Sequence, residues 1–414
     1  MRVRLNKKDN QHHKIDEELL NQALDYIDDY WPKLIRENKT DRNSLIGLPY
    51  PYIVPSDDEH ENYAHEAQYY WDTYFTALGL SDKSHEALVI GMLENLILLF
   101  KRFGTIPNAS RTYFTGRSQP PILTTIIFYI YETFDKSDQW LIDYMNIARQ
   151  EYEQVWMSDQ HPVWHRVHHN LSRYYDVNVL HDLAEAESGW DMTPRFERKC
   201  LDYLPVDLNA LLYKYEVDFA RCSLIAGSHK QAEAWRALAA DRQAAMNELM
   251  WGKLRGFYFD YNYQKKELGT VWSLAGFYPM WAGMVTPEQA DKLVTNLAKF
   301  ERAGGLTTTT RPLIDMTMFG SLKTQWAYPN GWAPLHFIVV EGLRRYGYTD
   351  AADRISKKWL TTNLNWFNKH NQFMEKYNVV NWSKSPGDGV YPNQTGFGWT
   401  NGVFVHLAKQ LSQS

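Results

Sequence analysis

Cysteine is nearly absent: Cys200 and Cys222 are the only two in 414 residues. Two are too few for a disulfide framework, and both read as free thiols of the core. Charge of one sign never accumulates. The net charge is −5 with both signs interspersed, which gives no electrostatic reason to expect nucleic acid. Long apolar runs are missing too; the longest, around Ala87 to Phe103, carries Glu94 and is not a membrane span. The stretch Met1 to Asp9 is basic with no apolar segment behind it, so no signal peptide and a cytoplasmic location are expected. Strand-like runs are few, and no Pro/Gly/Ser-rich linker divides the chain. Length alone suggests two or three domains. The missing linkers argue instead for a single domain over residues 1–414.

What the chain does have is aromatic surface: 15% of residues, with 16 Trp and 27 Tyr. A core does not need so many amphipathic rings. Sugar-binding clefts do, because a ring covers the apolar face of a pyranose while polar neighbours bond its hydroxyls. Apolar spacing predicts helices over Ile15–Arg36, Glu66–Leu80, Ser84–Phe103, Ile122–Phe134, Trp140–Trp156 and Val179–Ser188. More follow at Pro205–Ala226, Lys230–Met250, Pro287–Phe300, Gly331–Tyr346, Ala351–Asn371 and Asn401–Gln413, with a short hairpin over Gly256–Tyr263. Successive helical hairpins bury every apolar face either as a solenoid or as a closed toroid. The long loops, 47–70, 104–121, 157–178, 186–205, 303–330 and 372–400, are also the aromatic ones. That favours closure around a central pocket.

The loops hold the candidates for chemistry. Gly189 ends a helical pattern and Pro194 prevents its resumption, so Asp191 falls on a loop beside Trp190, Met192 and Phe196. A carboxyl against apolar surface gains pKa, as a general acid at neutral pH requires, although a loop Asp can equally cap a helix. Trp71 and Asp72 at a helix start can stack on and bond a sugar, or Asp72 can simply complement the helix dipole. Asn108, Arg117 and Gln119 can donate into a pocket, and Gln325 with Trp326 offers an amide and a stacking platform. Glu375 is the best partner carboxylate for Asp191, although alone it reads as a surface residue pairing with Lys376. The run His161, His165, His168, His169 could align on a helix, but it lacks a fourth ligand and an H-E-x-x-H pattern, so no metal is expected.

Taken together and in order, these stretches resemble the α,α-trehalase family of glycoside hydrolases across roughly residues 45 to 405. Tyr70 to Tyr74 (YWDTY) is similar to the end of its first signature, and Gln325 to Pro334 (QWAYPNGWAP) to its second. Ile106–Asn108, Arg117–Pro121, Glu187–Asp191, Met374–Tyr377 and Gly396–Gly402 also follow its pattern. The resemblance implies an all-α (α/α)6 toroid, no cofactor or metal, and an inverting mechanism with Asp191 as general acid and Glu375 as general base. Their carboxyls are then expected about 6.5–9.5 Å apart. Trp71, Asp72, Asn108, Arg117, Gln119, Gly189, Gln325 and Trp326 are the implied sugar-binding positions.

The departures cluster. Ala64 stands where the family has Arg, Ala327 where it has Asp, Val390 where it has an acidic residue, and an Arg-Pro-Glu segment before Asp191 is absent. These changes leave the glycone side and rebuild the aglycone side. Trehalose is the first substrate expected, gripped less well than by trehalases, with a smaller or acidic α-glucoside cleaved better. Arg166, His168, His65 and Arg195 are the cations offered to a carboxylate aglycone, as in glucosylglycerate and mannosylglycerate hydrolases. A sugar-binding protein without catalysis is the remaining alternative, and the presence of both carboxylates argues against it.

Overall fold

The computed structural model describes residues 15–57, 66–312, 324–386 and 392–413. Its helices are α1 (Glu17–Leu34), α2 (Tyr70–Ala77), α3 (Glu86–Phe103), α4 (Leu123–Thr133), α5 (Asp138–Glu151), α6 (His181–Glu187) and α7 (Val206–Ile225). They continue with α8 (His229–Leu249), α9 (Tyr278–Trp281), α10 (Pro287–Asn296), α11 (Ala333–Arg345), α12 (Thr349–His370) and α13 (Gly398–Gln413). Burial sorts them into two layers. All eight residues of α2 and all four of α9 are buried, and α4, α7, α11 and α13 are buried over most of their surface. Helices apolar all round belong at the centre of a fold. By contrast, α1 buries Leu20, Ala23, Leu24, Ile27, Tyr30, Trp31 and Leu34, a single stripe that suits an outer position.

Packing closes the inner layer. In turn, α13 packs on α2, α11 on α13, α9 on α11, α7 on α9 and α4 on α7. Between α4 and α2 the ring is joined by Tyr129, whose hydroxyl donates to the Ala77 carbonyl at 2.8 Å and whose ring lies edge-on to Tyr74. Outside them, α3 packs on α2 and α4, α5 on α4 and α7, α8 on α7, and α12 and α1 on α13. The result is the (α/α)6 toroid, with one hydrophobic cluster running from Ile15 to Leu411. Strands are short and lie in the loops.

Several boundaries differ from the sequence expectation, each for a local reason. Helix α2 starts at Tyr70 rather than Glu66, because the Gln68 and Tyr69 backbone pairs with Ala109–Ser110. Residues Asn330–Trp332 form a strand against Lys376–Asn378, so α11 begins only at Ala333. The expected hairpin over 256–263 is two strands with separate partners: Phe257–Tyr258 pairs back with Trp251–Gly252, and Tyr261–Asn262 lies between Glu267–Leu268 and Tyr203–Leu204. The inner helix α9 has no counterpart in the sequence expectation; one turn is too short to show a period. Within the loop expected over 157–178, residues 159–172 form two short hairpins.

Candidate active site

The loops that lead into the N-termini of the inner helices meet at one end of the toroid, and hydrogen bonds tie them in sequence. Gln119, ahead of α4, accepts from the first-turn amide of Trp71 on α2 at 3.0 Å. Asn108 donates to the Ser118 carbonyl and to that of Ala186, which joins its loop to α6. Glu187, fully buried at the end of α6, accepts from the backbone amides of Ser118 (2.8 Å) and Tyr175 (2.7 Å) and lies 3.0 Å from His165 Nε2. Gln325 Nε2 donates to the Asp191 carbonyl at 2.6 Å, and the Trp326 amide to the Met192 carbonyl at 3.1 Å. In the first turn of α13, Trp399 Nε1 donates to the Glu375 carbonyl. The two carboxylates Asp191 and Glu375 and the expected sugar-binding positions Trp71, Asp72, Asn108, Arg117, Gln119, Gly189, Gln325 and Trp326 therefore lie in this loop cluster or its first helical turns. Asn108 and Gln119 serve there as braces between loops.

Five indoles line the cluster. Trp326 stacks on Trp332 with centroids 3.8 Å apart and planes 1° from parallel, and Trp190 stacks on Trp326 at 5.5 Å. Trp71 and Trp399 meet edge-on at 5.9 Å and each approaches Trp326. Gly189 makes this possible: its φ is +71°, and an added Cβ would stand 2.8 Å from the Trp71 ring. Only glycine meets both conditions without strain. Gly189→Ala should destabilise the protein by about 1–3 kcal/mol, from the left-handed backbone and the overpacked ring. Thermal melts of the variant beside wild type check this, and an unchanged melting temperature would contradict it.

Three carboxylates share the centre. Asp72 is buried in the first turn of α2, and desolvation, with Glu375 and Asp191 nearby, raises its pKa well above the ordinary value. Asp191 keeps partial solvent access. Burial of its carboxyl raises its pKa to about 7; Glu375 pushes the same way, while Arg117 and Lys376 oppose. Glu375 is 1% exposed and accepts from Lys376 Nζ at 2.6 Å. Arg117 is fixed by Asp176 at 3.1 Å over the Phe114 ring. The buried polar atoms Gln325 Oε1 and Trp326 Nε1 have no protein partner among the described residues. Such atoms are costly to bury unless a ligand or water satisfies them.

Some expectations need correction. Arg195 is not a free cation: it is fully buried, bonded to Asp207 at 2.6 Å and Asp260 at 2.7 Å, and lies over Trp190. Arg166 is engaged by Asp159 and Asn170. His168 has its pKa lowered by desolvation, which favours its neutral form. Ala64, His65 and Val390 lie outside the described residues. In the histidine run, His165 faces Glu187 and His161 faces the Tyr175 hydroxyl. Among the described residues, no three His, Cys, Asp or Glu side chains are grouped to hold a metal.

Sequence reasoning misses Lys376, since a Lys next to a Glu usually signals an exposed pair. It misses Glu185 as well, which bonds the Thr193 amide at 2.7 Å and so anchors the Asp191 loop from α6. The spacing of Glu185 from Asp191 carries no signal.

The trehalase family model matches residues 3–182 and 176–412. The chain belongs to the trehalase family. It is a glycoside hydrolase. Among solved structures it is similar to the neutral trehalase Nth1 from Saccharomyces cerevisiae, at 25% identity and a TM-score of 0.81, over 95% of this chain and 96% of that one. It shares its fold with a mannosylglycerate hydrolase from Thermus thermophilus, solved with Tris and D-glycerate, at 18% identity and a TM-score of 0.66, over 93% and 99% of the two chains. No described helix of this family member is long and apolar enough to cross a membrane.

Proposed function

We propose that this trehalase-family chain is one catalytic domain that hydrolyses trehalose or a similar small α-glucoside, acting on the chain end with inversion. The observation that carries the reading is the convergence of Asp191 and Glu375, with Asp72, inside a ring of indoles. Asp191, protonated near neutral pH, gives its proton to the glycosidic oxygen, and Glu375 takes a proton from the water that attacks the opposite face of the ring. Trp71, Asp72, Arg117, Gln325 and Trp326 hold the glucose, with Gln325 Oε1 and Trp326 Nε1 supplying unspent bonding capacity.

A glycerate-linked substrate is the second reading, suggested by the fold shared with the mannosylglycerate hydrolase. It is weakened because Arg195 and Arg166 are engaged and His168 favours its neutral form, which leaves a carboxylate aglycone poorly matched among the described residues. This reverses the preference the sequence suggested. We expect trehalose to exceed glucosylglycerate and mannosylglycerate in kcat/KM on one preparation, read by released monosaccharide. The opposite order would transfer the assignment to the second reading. NMR of the first turnovers of trehalose should show α- and β-glucose in equal amounts, as inversion at one anomeric centre demands; only α-glucose would mean retention.

The pH profile gives an independent check. Asp191 must be protonated to act, so kcat/KM should fall as pH rises through about 7. An activity flat from pH 6 to 9 would remove Asp191 from the role of acid.

A further inference from the structure

Glu375 and Lys376 are adjacent in sequence, and successive side chains on a strand normally point to opposite faces. Here they meet. Glu375 sits at a bend just before the strand Lys376–Asn378, and the bend brings its Oε2 to 2.6 Å from Lys376 Nζ. Both side chains are buried, Lys376 at 0% and Glu375 at 1% exposure. The strand pairs Lys376 with Trp332, and Nζ also lies 5.0 Å from the Trp332 ring centroid. The Glu375 backbone is pinned around this contact: its amide donates to the Gln394 carbonyl, and its carbonyl accepts from Trp399 Nε1 and the Thr400 hydroxyl. A buried ion pair is a poor device for stability, because apolar replacement of both partners is often neutral or better. Its presence beside the reacting carboxylates calls for another reason.

We propose that Lys376 is a positioning residue for the hydrolytic reaction: its ammonium fixes the orientation of the Glu375 carboxylate and compensates its charge inside the protein. The proposal rests on the reading of Glu375 as the base. Glu375 acts electrostatically on Asp72 of α2 and on Asp191 of the loop after α6, and Lys376 acts on Asp191 with the opposite sign, as does Arg117. The carboxylates of Asp72, Asp191 and Glu375 therefore repel one another. Lys376, with Nζ 2.6 Å from Glu375, offsets that negative charge, and it also lowers the pKa of Asp191.

Removing the ammonium should therefore move both limbs of the kcat/KM profile toward alkaline pH. In Lys376→Met the acid limb should rise by about 1–3 pH units, the usual effect of a close opposite charge on a carboxylate. Lys376→Arg, which keeps the charge, should leave both limbs near the wild-type positions. If Lys376→Met does not yield folded enzyme, Lys376→Gln, which keeps a donor without the charge, is read in the same way. A variant profile lower in amplitude but superimposable on wild type along the pH axis would reduce Lys376 to a structural residue and overturn the proposal. Glu375→Gln, run alongside, separates the two failures. If it keeps more than about a tenth of wild-type turnover, Glu375 is not the base. If it is inactive while the Lys376→Met limbs stay fixed, only the inference about Lys376 fails.

Discussion

Asp191→Asn should lower kcat/KM for trehalose by at least about a hundredfold, the smaller end of what a positioned general acid contributes. The loss arises because an amide cannot deliver a proton to the leaving oxygen. Folding should be little affected, since the loop is held by contacts the substitution leaves in place. Gln325 bonds the Asp191 carbonyl and Trp326 the Met192 carbonyl, both of them backbone atoms. Replacing a carboxyl whose ionised form is disfavoured also relieves the desolvation that raises its pKa to about 7. The sign of that effect is definite. A carboxyl raised in the folded state contributes stability below its unfolded pKa and loses it as pH rises through about 7. The variant should thus come nearest to wild type in melting temperature below about pH 4, the unfolded carboxyl range, and exceed it by pH 8. Near-full activity of the variant would assign the acid to another residue, with Asp72 the next carboxylate in reach.

How far the site was legible depends on the kind of signal each residue gave. Asp191 was readable because Gly189 and Pro194 bracket it and aromatic residues flank it, and all of these are local features. Trp71 with Asp72, and Gln325 with Trp326, were readable as short runs that few structural roles demand. Glu375 was readable only through the resemblance of Met374–Tyr377 to a known pattern, because a Glu-Lys pair ordinarily marks a solvated surface. The same ambiguity hid Lys376, whose burial depends on pairing with Trp332 some forty positions earlier. Among helices, the long amphipathic outer ones were clear from period alone. The inner α9 was not, and neither were the strands at 159–172, where histidines and aromatics carried no consistent period. Arg195 failed in the opposite direction. Read as a pocket cation from its place beside Asp191, it is held by two aspartates that only the fold brings to it.

That buried cluster sets the largest stability effect expected. Arg195 Nη1 and Nη2 donate to Asp207 at 2.9 and 2.6 Å, and Nε and Nη2 donate to Asp260 at 3.0 and 2.7 Å. Asp260 in turn accepts from the Val206 amide at the start of α7, so the guanidinium joins the Asp191 loop to an inner helix. Its plane also covers Trp190 at 4.4 Å, next to Asp191. Removing one partner of a buried pair costs far more than the pair contributes, because the charges left behind have neither water nor counter-ion. Arg195→Met should lower unfolding free energy by about 3–5 kcal/mol, with two aspartates orphaned at once. Without the guanidinium those carboxyls resist ionisation, so the deficit should grow as pH rises and shrink in acid. Activity should fall as well, because Trp190 loses the surface that seats it beside Asp191. Denaturant unfolding at pH 5 and pH 8, read together with kcat/KM at the same pH values, measures both consequences. A loss below about 1 kcal/mol at pH 8 would mean that water reaches the two aspartates and that the Asp191 loop is held chiefly by Glu185 and Gln325.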